Sequence, residues 1–348
     1  MNVFTKRLND WKPPSNWSRI TTIDAHTGGE PLRIITSGLP EIKGSTILEM
    51  RKYFQQNHDD IRKTLMWEPR GHADMYGCIV TPPITENADF GVIFMHNEGY
   101  STMCGHGIIA VTTVMIETGL IERREPQTNL KVDSPAGLIK ATAFMNQGNV
   151  EEVSFVNVPS FVVELDAKIN IDGIGPVKYD LAFGGAYYVY VQAHDFGLTC
   201  LPKDINRLIK IGREIKKAVS DSVEIKHPTD SALGFLYGTI FIDQPQENSS
   251  HSRNVCIFAD GEVDRSPTGT GVSGRLAIHH ARGETAANES IIIESIIGSK
   301  FSGRVLKETK FGSYNAIIPE VTGTAHITGK HEFYIDSSDE LKRGIILR

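Results

Sequence analysis

Cys104 heads the segment Cys104-Gly105-His106-Gly107, and the residues from Ile108 to Ile116 are apolar nearly all round. Glycines at a helix start let backbone N–H groups approach a ligand with no Cβ in the way. The free N–H groups of the first turn, with the helix dipole behind them, bind an anion. The same place lowers the pKa of a thiol, so Cys104 is expected to be accessible as a thiolate near neutral pH. A carboxylate held by such donors beside a poised base is what removal of the adjacent proton requires, because oriented donors stabilise the charge that develops. The blander reading is a glycine-rich turn over a buried thiol, and the four residues alone do not exclude it.

A second copy of the pattern strengthens the chemical reading. Thr268-Gly269-Thr270-Gly271 also precedes a small-and-apolar run, and both runs end near a glycine, Gly119 and Gly283. Cys104 and Thr268 lie 164 positions apart in a chain of 348, about half its length. A pattern repeated at that interval predicts two similar domains, each presenting one helix N-terminus to a shared cleft. His106 is either an exposed first-turn residue or a donor to substrate or leaving group. Asp264, four residues before Thr268, is either a turn or cap residue or the acceptor for a substrate ammonium. Gly269-Thr270-Gly271-Val272-Ser273-Gly274 also matches G-x-G-x-x-G, which raises a dinucleotide-binding oxidoreductase as a rival. That fingerprint needs its glycines to follow directly from a strand in a βαβ unit, whereas Asp260 to Thr268 intervene here and no βαβ unit is expected to follow.

Those residues must be positioned by the surrounding elements. Short β-branched and aromatic runs bounded by Gly, Pro, Asn or Asp predict strands, among them Leu32–Thr36, Gly77–Thr81, Tyr187–Gln192 and Val255–Ala259. Helices are predicted over Ser45–Tyr53, Asp59–Met66, Gly105–Thr118, Ile205–Ser220 and Gly269–Arg282. Strands that do not alternate regularly with helices predict an α+β fold. A helix apolar on all sides must be enclosed, and a sheet wrapped around it would do that. The expected boundary falls near Val158-Pro159-Ser160, giving domains 1–159 and 160–330. Residues 331–348, beginning with the strand His331–Ile335, are expected to return to the first.

Composition bounds the partners. A 40% hydrophobic, 22% charged chain with net charge −6 and no Lys/Arg run predicts a soluble protein that does not bind nucleic acid. No apolar stretch is long enough to span a bilayer, and the first residues lack the apolar region of a secretory signal. A cytoplasmic protein is expected. Of the four cysteines, Cys78, Cys200 and Cys256 sit among apolar neighbours and read as small core hydrophobes. No His/Cys cluster has zinc spacing.

Two signature segments, Tyr100-x-x-Met103-Cys104-Gly105-His106-Gly107-x-Ile109-Ala110 and Asp264-Arg265-Ser266-Pro267-x-Gly269-Thr270-Gly271, resemble those of the proline racemase family. Asp24 to Pro31, Arg70 to Gly77 and Phe183-Gly184-Gly185 fit as well, so the resemblance runs from about Ile23 to Ile335. It implies a diaminopimelate-epimerase-like fold, with two α+β domains, each a sheet or barrel around a central helix, and the site in the cleft between them. It also implies a small amino-acid substrate, a homodimer, and no metal, pyridoxal phosphate or nicotinamide. Carried over by position, Cys104 is the catalytic proton acceptor, and Gly105, His106, Asp264, Gly269 and Thr270 bind substrate.

The chain departs from the two-thiol pattern at Thr268, where the family's racemases and epimerases carry a second cysteine. Inversion by two bases needs a group on each face of the α-carbon, and a threonine hydroxyl is far too weak an acid or base at neutral pH. Threonine at this position resembles the family's trans-3-hydroxy-L-proline dehydratases. In that substrate the 2-hydrogen and the 3-hydroxyl both lie on the face opposite the carboxylate, so water can be lost from one side. The acid that helps the hydroxyl leave is open at this stage: Cys104 itself, His106 or water. A racemase or hydroxyproline 2-epimerase, and a non-catalytic ligand-binding protein, are the alternatives.

Overall fold

The computed structural model describes residues 7, 8, 10–286 and 288–347. Among the described residues seventeen strands form two closed rings, each wrapped around one helix. The first ring holds β1 (Ser18–Thr27), β2 (Glu30–Ser37), β3 (Tyr76–Thr81), β4 (Phe90–His96), β5 (Gln127–Ser134), β6 (Gly137–Asn146) and β7 (Asn149–Val156). The second holds β8 (Ser160–Ile171), β9 (Gly175–Phe183), β10 (Tyr187–Gln192), β11 (Leu236–Asp243), β12 (Ser252–Phe258), β14 (Ser290–Glu294), β15 (Lys300–Phe311) and β16 (Tyr314–Gly323), with the short β13 (Glu262–Asp264) turned back on β12.

The rings repeat one pattern. β1/β2, β3/β4, β5/β6 and β6/β7 are antiparallel, whereas β2/β3 and β4/β5 are parallel. β9/β10, β11/β12, β14/β15 and β15/β16 match the first set, and β10/β11 and β12/β14 match the second. Parallel neighbours need a crossover. Helices α1 (Ile47–Asn57) and α2 (Asp59–Met66) supply it between β2 and β3, and α4 (Ile205–Ser222) between β10 and β11. The second crossover of each ring is its central helix, α3 (Gly105–Glu117) or α5 (Gly269–Ala281).

One stretch closes both rings. β16 pairs through Ala316 and Ile317 with β8, then through Glu320–Gly323 with β7. It continues almost without break into β17 (Ala325–Ile335), which pairs with β1 along its length. The strand at His331–Ile335 thus lies in the first ring.

Enclosure explains the composition of the central helices. Every residue from Gly105 to Ile116 and from Gly269 to His279 is buried. α4 instead packs only one stripe (Leu208, Gly212, Ile215, Val219) onto the outside of the second ring. The predicted helices are present with ends shifted by a few residues at most. β15 does not read as a strand in the sequence because Lys300, Arg304, Lys307, Glu308 and Lys310 break its apolar run, and β16 because Pro319 interrupts it.

The parallel contact of β12 with β14 is pinned by a buried ion pair, Arg253 Nη2 to Glu294 Oε2 at 2.6 Å. Against the cost of burial, the N–H groups of Gln246 and Glu247 and the Arg253 guanidinium hold the Glu294 carboxyl down at about 2. Its folded pKa lies below the ordinary carboxylate value, so its stabilisation is present above roughly pH 4.5 and is lost as pH falls towards 2. Glu294→Gln, which strands Arg253 in the interior, is expected to lower unfolding free energy at pH 7 by about 3 kcal/mol. Urea titrations at a series of pH values check this: the gap between wild type and variant should narrow below pH ~4.5.

Candidate active site

The N-termini of α3 and α5 meet head to head. A Cβ added to Gly105 would come 2.6 Å from the Gly269 Cα, and one added to Gly269 would come 2.8 Å from the Gly105 Cα. The ring of Phe155 closes on both glycines from β7. Only two glycines permit this approach. It brings two positive helix ends together, an arrangement that calls for an anion.

The two ends are capped differently. Cys104 is in extended conformation, and its Sγ accepts from Gly107 N at 3.2 Å. Thr268 has φ +67°, unusual for a β-branched residue. Its side chain makes no cap bond, and its buried hydroxyl stands against the Cys256 thiol instead. Ser266 Oγ takes the Thr268 N–H at 3.1 Å, and Asp264 Oδ1 takes the Ser266 N–H at 2.8 Å, fixing the approach to α5.

Around this contact lies a nearly closed cavity of about 20 Å³, room for about one water molecule, so a ring-sized ligand enters only if the walls part. Every residue predicted for the site lines it: Cys104, Gly105, His106, Asp264, Thr268, Gly269 and Thr270. The remaining wall was missed by sequence reasoning: Tyr76, Met103, Tyr188, Tyr237, Cys256 and Phe258. Cys256, expected to be a core hydrophobe, is fully buried, but it is also part of this wall. Tyr76 lies in a segment already noted for its resemblance, which was the available signal. Thr270 Oγ1 bonds the Tyr188 hydroxyl at 2.7 Å, holding one wall in place.

Hydrogen bonds between residues from opposite halves of the chain hold the walls shut. Arg265 N donates to Glu30 Oε2 at 2.8 Å, and the Arg265 guanidinium reaches Asp74 Oδ2 at 3.1 Å. Thr102 Oγ1 donates to Gly185 O at 2.8 Å, and Ser299 Oγ to Gly28 O at 2.8 Å.

The electrostatics correct one expectation. Burial pushes the Cys104 thiol well above its usual range; Gly107 N–H and the Tyr76 hydroxyl oppose this, while the charges of Asp264 and Glu30 add to it. Position at a helix start does favour the thiolate, but desolvation outweighs it. His106 responds in the opposite sense: burial lowers its pKa, opposed by Asp264 and by a bond to the Pro31 carbonyl. It is therefore a neutral ring, with Nδ1 3.2 Å from Sγ, able to receive the thiol proton. A substrate ammonium beside Asp264 would shift the balance further towards thiolate.

The dinucleotide rival does not fit. β12 and β14 are in fact parallel across α5, so a crossover exists, contrary to the sequence-based reading. Yet β13 interrupts it, and the glycines of the fingerprint are packed against protein, Gly269 on Gly105, Gly271 on Ile240 and Gly274 on Tyr190, which leaves no room for a pyrophosphate. Among the described residues no group of three or more His, Cys, Asp or Glu side chains converges to hold a metal ion. None of the described helices is long and apolar enough to cross a membrane.

Gly105→Ala tests the contact. The added methyl must displace the α5 backbone, so activity is expected to fall by about 10²-fold or more, as misplacement of about 1 Å can do. Steady-state kinetics beside a melting curve checks that the loss is catalytic.

A family model described as "Proline racemase" matches residues 22–346. The trans-3-hydroxy-L-proline dehydratase of Colwellia psychrerythraea is 50% identical over 345 residues, covering 98% of this chain and 97% of that protein. The 3-hydroxyproline 2-epimerase of Burkholderia multivorans is 45% identical over 329 residues, with coverage of 94% and 98%. A crystal structure of a hydroxyproline epimerase from Agrobacterium vitis, with bound trans-4-hydroxy-L-proline, superposes with a TM-score of 0.90 at 32% identity, over 95% of this chain and 96% of that one. The α+β fold with two ring-enclosed helices is thus shared with solved relatives, and this chain belongs to the proline racemase family.

Proposed function

We propose that this protein is a cofactor-independent hydro-lyase that removes water from trans-3-hydroxy-L-proline to give Δ1-pyrroline-2-carboxylate. The observation that carries this reading is the difference between the helix ends. One presents a thiol beside a neutral imidazole. The other presents Thr268, whose hydroxyl is too weak to act as a base on the opposite face.

In this reading the substrate carboxylate lies against the first-turn N–H groups of α3 and α5, including those of Gly105, His106, Gly269 and Thr270. Asp264 takes the ammonium. His106 receives the thiol proton, and the Cys104 thiolate removes the 2-hydrogen. The electron pair released from C2 forms the C2–C3 double bond as the 3-hydroxyl departs on the same face. The enamine then tautomerises to the cyclic imine. Thr268 shapes the far wall. The division at 159/160, with one site between the halves of a single chain, and a cytoplasmic homodimer remain part of the reading.

One observation favours a second reading, 3-hydroxyproline 2-epimerase: Cys256 stands beside Thr268 in the same cavity. Burial pushes its thiol well above the usual range, with Asp264 adding to the effect and the Thr268 hydroxyl easing it. No helix start or imidazole activates Cys256 as Gly107 and His106 do Cys104, so the one-sided reading stands first.

Purified protein with trans-3-hydroxy-L-proline is expected to yield Δ1-pyrroline-2-carboxylate, followed by NMR, with no cis-3-hydroxy-D-proline. Cys104→Ser is expected to lower kcat by about 10³-fold or more, within the range for loss of a general base. Accumulation of cis-3-hydroxy-D-proline would support the epimerase instead.

A further inference from the structure

We propose that Tyr76 is the catalytic acid that protonates the departing 3-hydroxyl; the inference rests on the dehydratase reading. Loss of water from one face requires a donor on the side of the base. Tyr76 projects from β3 into the cavity, where its hydroxyl stands against Cys104. That hydroxyl bonds Ser101 Oγ and lies 3.4 Å from the Tyr237 hydroxyl. The ring is held edge-on to His106, with centroids 4.7 Å apart, and stacked on His96 at 5.7 Å.

The other donors in the wall fit less well. The His106 ring is spent on Sγ at 3.2 Å and on the Pro31 carbonyl. Thr268 and Cys256 belong to the opposite half of the chain. The Tyr188 hydroxyl is engaged by Thr270 at 2.7 Å. Tyr237 comes from β11; its hydroxyl lies 3.4 Å from that of Tyr76 and senses the Cys104 charge across space, whereas the Tyr76 hydroxyl stands directly against Cys104.

The chemistry balances. Cys104 takes the 2-hydrogen, and the C2–H electron pair becomes the C2–C3 double bond. The C3–O bond breaks towards oxygen, which takes the phenolic proton and leaves as water. A departing hydroxide is a much stronger base than a phenolate, so this transfer runs downhill. Burial holds the Tyr76 phenol well above its usual range, with the nearby Cys104 charge adding, so the proton stays until the bond breaks. The cycle closes when the newly formed Cys104 thiol returns its proton to the phenolate beside it, an intrinsically favourable direction because thiols are more acidic than phenols. Thiolate and phenol are restored with no outside proton donor; the released water carries the former phenolic proton, and the α-hydrogen ends on the Tyr76 oxygen.

A leaving group that needs no proton separates this role from a structural one. trans-3-Fluoro-L-proline places fluoride where the hydroxyl sits. Tyr76→Phe is expected to slow water elimination by about 10²–10⁴-fold, the usual contribution of a general acid, while fluoride elimination changes by less than roughly 10-fold. If the phenylalanine variant does not fold, p-aminophenylalanine at position 76, of similar shape but a very weak acid, should show the same split. Water elimination within 10-fold of wild type, or equal loss with both substrates in a folded variant, would overturn the proposal. Failure of the dehydratase reading is distinct: wild type itself would release no water.

Discussion

The contact of Gly105 with Gly269 is the constraint on which the rest of the molecule depends. Two helix N-termini can meet this closely only where neither carries a Cβ. Each helix must therefore be held rigidly, and each is, by a closed ring of strands that buries it on every side. The chain achieves closure economically, because the stretch Tyr314–Ile335 supplies strand pairings to both rings. Two positive ends facing each other repel unless an anion lies between them. The architecture thus selects a carboxylate before any side chain is considered.

The same closeness sets the chemistry. A dry, sealed site strengthens every dipole aimed at the developing charge. It also penalises the thiolate that must start the reaction, and for Cys104 this penalty exceeds the benefit of the helix end. In the proposed mechanism a neutral His106 next to Sγ and an ammonium-accepting Asp264 resolve the conflict, because an entering zwitterion would favour proton transfer. The base is thereby coupled to the substrate. The asymmetry between Cys104 and Thr268 then decides from which face the proton can leave.

The catalytic loops were legible in the sequence because their requirements are local. Glycines, a thiol and an aspartate at fixed offsets from a helix start carry the same meaning wherever the helix sits. The helices were legible too, including the enclosure of α3, since an all-round apolar helix has no other place to go. The tyrosines and Cys256 were not. They lie on β3, β10, β11 and β12, whose two faces are both covered. In β12, Cys256 and Phe258 face the core around the central helices, while Val255 and Ile257 face α4. A strand buried on both faces shows no hydrophobic alternation, so its sequence cannot say which residues line a cavity. The expected ease of ionising Cys104 failed for a related reason: a local pattern reports the helix end but not the depth of burial.

Chemistry from a single face is the central claim, and L-proline tests it with no leaving group involved. The measurement is NMR of the α-position, with chiral analysis, during incubation of the wild-type protein with L-proline in heavy water. The account predicts that deuterium enters the α-position while the amino acid stays L, because Cys104 returns a proton to the face from which it took one. Formation of D-proline at a rate comparable with exchange would show a second base opposite Cys104 and contradict the account.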